Sequence, residues 1–242
     1  IDPSRSLGFY INHLDYGEEE ITDLDNQEGT GLYWSASDIV TGGAYAQNLT
    51  DQFSLGGTLK YIHQRIHNES ANTMAVDIGI LYKTSTEKFN IGMSVSNWGS
   101  DMSMDGKDLY KKIDIDPNHD GHNETLVAKL KTDEWPLPLF FRVGFSGNLI
   151  STPLFKFTVA TDAMIPSDDI ETLQIGFESS YMNRLFLRGG YKNIGNHKSI
   201  EGFTGGAGVR IFTSGMSLGI DYSIQDFGYF GLISHLGISI EF

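Results

Sequence analysis

Cysteine is absent from all 242 residues, which excludes a disulfide scaffold, a thiolate nucleophile and a cysteine-bound zinc site. Basic residues are scarce: 17 Lys plus Arg against 31 Asp plus Glu give a formal charge of −14. Gripping a phosphate backbone requires clustered Lys and Arg and the counterions they release, so no nucleic-acid partner is expected. Long apolar runs are missing too. The longest nearly apolar stretch, 135–141, is broken by Pro136 and Pro138, far short of the roughly 18 residues a membrane helix needs. The chain opens at Ile1 without Met or a charged-then-apolar leader, so loss of a signal peptide is expected.

What the chain does contain is alternation with period two almost throughout, and no convincing helical spacing. Phe53, Leu55, Leu59 and Tyr61 share one face, with Ser54, Thr58 and Lys60 on the other. Met74, Val76, Ile78 and Ile80 oppose Ala75, Asp77 and Gly79; Leu173, Ile175 and Phe177 oppose Gln174 and Glu178. The pattern runs to Leu236, Ile238, Ile240 and Phe242 against Ser239 and Glu241, and about twelve strands joined as a meander follow from it.

Either a soluble sandwich with polar residues outside or a transmembrane barrel with polar residues inside can use such strands. Three features favour the barrel. The polar face carries Lys60, Asp77, Arg142, Asp162, Glu178, Arg188, Arg210, Asp221 and Glu241 in mid-strand, mixed in sign. The connections at 48–52, 85–88, 148–153, 182–184 and 213–215 are tight and the others longer, above all 98–136, the pattern of short periplasmic turns and long extracellular loops. Phe53, Phe89, Phe155, Tyr181 and Phe186 flank the tight turns, and Trp98, Trp135 and Tyr191 lie near the opposite rim, as two aromatic girdles. The fold class expected is therefore all-β, a transmembrane antiparallel β-barrel. It forms one domain over 1–242, with a long extracellular loop at 98–136. Closure is expected because an open sheet edge in lipid leaves backbone groups unpaired. The end of the chain, His235, Gly237, Ile240 and Phe242, is similar to the C-terminal signal by which outer-membrane barrels are recognised for assembly.

Signs of catalysis are weak. Gly215-Met216-Ser217-Leu218-Gly219 matches the string of a nucleophile elbow, but the elbow sits between a strand and a helix, and here a strand continues through Asp221 and Tyr222. His63 and His67 have the spacing of a helical zinc site, yet on a strand they stand roughly 13 Å apart. In the loop, Asp116, Asn118 and Asp120 before Gly121 copy the first half of a calcium loop, but Val127 stands where a bidentate Glu belongs, with Glu124 nearby. The incomplete set favours an Asx-rich turn in 114–120, so no metal, cofactor or catalytic residue is assigned and no enzyme activity is expected.

Collinear passages resemble the PorV/PorQ family of outer-membrane proteins, which are similar in fold to the fatty-acid transporter FadL. They include Leu14-Asp15-Tyr16-Gly17-Glu18, Asn48-Leu49-Thr50-Asp51, Ser94-Val95-Ser96-Asn97-Trp98-Gly99, Asp133-Glu134-Trp135-Pro136 and Arg188-Gly189-Gly190-Tyr191-Lys192. The resemblance implies a barrel of about fourteen strands, so the twelve read here would lack an N-terminal pair and the record would be truncated. It implies bacterial outer-membrane localisation and a non-enzymatic role in type IX-like protein secretion or surface attachment. The partners would be outer-membrane lipid, secretion-system components and cargo, met by the rim loops. The alternative is a FadL-like conduit for hydrophobic small molecules. The charged lumenal face, without a continuous apolar track, speaks against that conduit.

Overall fold

The computed structural model describes residues 4–84, 88–114, 126–196 and 199–242, without the side chain of Phe230. Twelve wall strands hydrogen-bond in chain order, each antiparallel to the next. They are β1 (Arg5–Glu20), β2 (Tyr33–Asn48), β3 (Phe53–Ile66), β4 (Glu69–Lys83), β5 (Phe89–Gly99), β9 (Phe140–Ser151), β10 (Phe155–Pro166), β11 (Thr172–Tyr181), β12 (Leu185–Ile194), β13 (Phe203–Thr213), β14 (Met216–Asp226) and β15 (Leu232–Glu241). Between β5 and β9 lie three short strands: β6 (Asp105–Gly106), paired with β4, and β7 (Tyr110–Lys112) with β8 (Val127–Lys129), paired with each other. The described residues hold two single 3-10 turns and no α-helix.

Burial decides between sandwich and barrel. Among the described residues only Ile62, Ala71, Ala75 and Met102 are buried hydrophobics, whereas Phe9 is 88% exposed and Ile11, Leu59, Ile78, Ile175, Leu187, Ile220 and Ile238 also face outward. A sandwich would bring those faces together as its core. Here they form the outside of a rolled sheet, an arrangement stable where the surroundings are hydrocarbon.

The described turns of the short-turn rim follow the expectation, and 85–87 of the turn read at 85–88 lie outside the described residues. β11 and β12 meet through Met182, Asn183 and Arg184, the first two at positive φ (53° and 54°), and the Arg184 N–H donates to Tyr181 O (3.0 Å) to close the turn. Gly215 at φ 88° closes β13 to β14. The turn read at 148–153 is shorter, because β9 continues to Ser151 through a bulge at Leu149. Three expectations need correction. β3 and β4 join through His67 and Asn68 alone, on the rim of long loops, so loop length does not alternate perfectly. Closure is incomplete among the described residues: β1 and β15 each have one partner, and Phe9–Asn12 and Leu236–Ile238 border a shared cavity of about 850 Å³. Trp135 leaves the girdle, as described below.

Trp98 reaches the lipid side through a bulge. Ile78 pairs with Val95 but Val76 pairs with Trp98, so β5 spends one extra residue there. Without it, strict alternation from Val95 would turn Trp98 into the lumen. Asn97, at φ 67°, absorbs the irregularity, a conformation Asn tolerates better than most residues. Tyr191 packs edge-on against Phe203 (5.0 Å between centroids) and Phe89 stacks on Phe145 (5.5 Å), both pairs on the outer face.

Candidate functional site: the lumenal face

The register places every charge read from the sequence as mid-strand polar on one face, and that face lines the lumen. The two sides of the lumen differ. On the arc of β2 to β5, Val40, Ile62, Ala71 and Ala75 point inward and are covered by Met102, Met104, Trp135 and Leu137 from the segment joining β5 to β9. Met102 is 1% exposed and bridges Trp135 by two backbone hydrogen bonds of 2.8 and 2.9 Å. Trp135 therefore belongs to a roof inside the mouth rather than to an outer girdle, because its apolar partners lie on the lumenal face. The alternation already held this patch: Ile62 has the parity of Lys60, and Ala71 and Ala75 that of Asp77.

Polar contacts tie the roof down. Thr73 Oγ1 donates to Ser100 O (2.9 Å), Thr132 Oγ1 to Met104 O (2.7 Å) and Asn68 Nδ2 to Asp108 Oδ2 (2.8 Å). Below the patch, Lys60 is buried, its ammonium 2.7 Å from Asp77 Oδ1 and also donating to Asn97 Oδ1. Asp77 accepts the Asn97 N–H (2.8 Å), and Asn97 Nδ2 donates to Pro138 O (2.8 Å), so the bulge that turns Trp98 outward also anchors the returning end of the roof. Outside the wall, Lys129 and Asp105 pair at 2.6 Å; this bond holds the Asp105 carboxyl below its ordinary range and raises the Lys129 ammonium.

On the arc of β10 to β15 nothing described covers the wall. Arg188 donates through Nε to Glu178 Oε2 (2.7 Å) and through Nη1 to Asp221 Oδ1. Lys192 reaches Gln225 Oε1 (3.2 Å) and Glu201 Oε2 (3.5 Å). Phe186 faces inward with this network, its ring under the guanidinium groups of Arg188 (5.2 Å) and Arg210 (5.4 Å). It is not a girdle residue, since its parity is that of Arg188.

The remaining candidates are not brought together. Ser217 lies on β14 and donates to Glu241 Oε2 (3.2 Å), with no helix after it. His63 bonds Asn72 through Nδ1 (2.6 Å), while His67 sits in the hairpin turn at φ 54°. No group of three or more His, Asp or Glu among the described residues is placed to hold a metal. The calcium-like positions Asp116, Asn118, Asp120, Gly121 and Glu124 lie outside the described residues. Of the terminal motif, His235 and Gly237 take the lumenal face of β15 and Ile240 the outer face, while Phe242 follows the strand at 99% exposure.

No protein-family model matches the chain, and no curated protein matches it. Among solved structures, the Pseudomonas putida toluene transporter TodX superposes with a TM-score of 0.55 at 10% identity, covering 97% of this chain and 76% of that one. A Pseudomonas aeruginosa FadL homologue superposes at 0.49 with 12% identity, covering 97% and 72%. The likeness to TodX shows the fold: the antiparallel strands of this chain are arranged as in that protein.

Proposed function

We propose that the protein is a non-enzymatic β-barrel of the bacterial outer membrane whose lumen carries small, largely apolar molecules. The observation that supports this most is the inward patch of Val40, Ile62, Ala71 and Ala75 beneath Met102 and Trp135. Apolar side chains inside a water-filled barrel have no stabilising role unless something greasy covers them, and here the cover is a segment joined to the wall at both ends. The fold shared with a toluene transporter agrees with that use. The test is reconstitution into liposomes. Folded protein should speed uptake of the apolar dye N-phenyl-1-naphthylamine, and Met102→Asp, which puts a charge into the patch, should slow it several-fold. Uptake no faster than in empty liposomes would remove the reading.

A second reading, service in type IX-like secretion or surface attachment, rests on the collinear resemblance and on the hairpin of β7 and β8, where Tyr110, Val127 and Leu130 are exposed. Exposed apolar side chains on a rim loop suit a protein partner. Deleting 106–129 should leave the barrel folded and abolish secretion of cargo; secretion that persists places the partner elsewhere. We propose in addition that His235, Gly237, Ile240 and Phe242 form the assembly signal. Phe242→Ser should lower membrane levels, and unchanged levels would make it an ordinary strand end.

A further inference from the structure

The open arc contains a recess of about 400 Å³ that the apolar-conduit reading does not use. Its floor is bare backbone: Gly176 pairs with Gly190 on the next strand, and Gly206 lies beside Arg188. Phe177 fills the outer side at the neighbouring Gly189, where an added Cβ would come within 2.7 Å of its ring. On the inner side a Cβ at Gly176 would meet nothing closer than the Gly189 carbonyl at 3.5 Å. A backbone floor about Gly176 therefore faces the lumen, overhung at Gly190 by Thr204 Oγ1 (3.1 Å from the Cβ position) and at Gly206 by Ser223 Cβ (3.0 Å).

Its walls toward the two rims are polar, and Ala160, opposite Gly176, is the apolar side. Arg188 with its two carboxylates stands toward the short-turn rim, and Lys192 with Gln225 toward the other. Each of these cations already has an anionic partner, so an anion entering the recess would have to displace one. An apolar guest would strand both signs of charge without water. What stands free, among the described residues, are Thr204 Oγ1, Ser223 Oγ and the Asp162 carboxylate, whose side chains make no hydrogen bond. Two hydroxyls that both donate and accept, one acceptor and a backbone floor suit a ring bearing several hydroxyl groups.

We infer that this recess binds a neutral polyhydroxylated ring, either a free sugar or the sugar head of a lipid. The experiment uses the folded barrel in a detergent without a sugar head group, with maltose as the free-sugar probe and n-octyl β-D-glucoside below its micellar concentration as the lipid-like one. Saturation-transfer NMR should show saturable binding of at least one. Gly176→Leu, which fills the recess without a backbone clash, should abolish it. Thr204→Val, which removes one hydroxyl at constant shape, should weaken it about fivefold. Gly205→Leu, on the outer face with nothing within 4 Å of its Cβ, should leave it unchanged. Tighter binding of the glucoside assigns the lipid head, and equal or tighter maltose assigns the free sugar. Absence of saturable binding of both, or full binding by Gly176→Leu, overturns the site. Dye uptake under the patch on the other arc is unaffected by these variants, so the two readings fail separately.

Discussion

The arc of β2 to β5 and the arc of β10 to β15 share one hydrogen-bonding scheme and one outer surface, yet their lumenal faces have opposite character. The first buries a lysine and carries an apolar patch under a roof; the second spreads its ion pairs over an open, glycine-floored wall. Lys60 is 9% exposed at its side chain, while Arg188, Glu178 and Asp221 range from 36% to 40%. Similar charge pairs therefore do different work. In the covered arc the pair holds a segment in place, because a buried charge without its partner is strongly unfavourable. In the open arc water screens each member, and the pairs shape a surface instead.

The largest expected effect breaks that contrast directly. Asp77→Ala leaves Lys60 buried and unpaired and should destabilise the barrel by about 3 kcal/mol, whereas Arg188→Met should cost about 1 kcal/mol or less. Urea titration of folding into lipid vesicles measures both, and equal losses would erase the distinction between the arcs. Next, the outer surfaces should behave alike: Ile78→Arg on the first arc and Ile220→Arg on the second should each cost about 2–4 kcal/mol near the midplane. The same titration checks them, and tolerance of either would mean that wall does not face hydrocarbon. Met102→Ala should loosen the roof by about 2 kcal/mol. That would be read as faster proteolysis between β5 and β9 with the melting of the wall unchanged; loss of the whole barrel would make the roof part of the core.

The smallest effect concerns the exposed pair of Asp105 and Lys129. Because the folded state lowers the Asp105 carboxyl, its contribution is present above the ordinary carboxylate range and is lost as pH falls through the lowered folded value. The raised Lys129 contributes below the ordinary ammonium range and loses that contribution as pH rises through its folded value. Protection of the β7 and β8 amides against exchange, taken relative to the intrinsic rate at each pH, should therefore be greatest between those limits and fall with added salt. A flat profile would show that the pair does nothing for the hairpin.

Much of the wall was legible in advance. The period of two is a property of neighbouring residues, so the twelve strands, the outward Leu173, Ile175 and Phe177 and the inward Glu178, Arg188 and Asp221 could be assigned from the chain alone. The same local rule misassigned Phe186, since nearness to a turn says nothing about which face a ring takes, and Trp135, whose partners are far away in the chain. The apolar patch was visible only as small exceptions: Val40, Ile62, Ala71 and Ala75 stand among polar residues of their own parity, and nothing in one strand says that exceptions on three strands are adjacent.

Alternation and turn chemistry by themselves determined the all-β class, the strand count and which residues meet hydrocarbon, because side-chain direction in a strand is decided residue by residue. Tertiary structure decided the rest. The bulge at Asn97 turned Trp98 outward, register across strands laid Gly176, Gly190 and Gly206 into one floor, and chain return brought Met102 and Trp135 over Ile62. Each of these depends on pairing between residues distant in sequence, where a shift of one position moves every side chain to the other face.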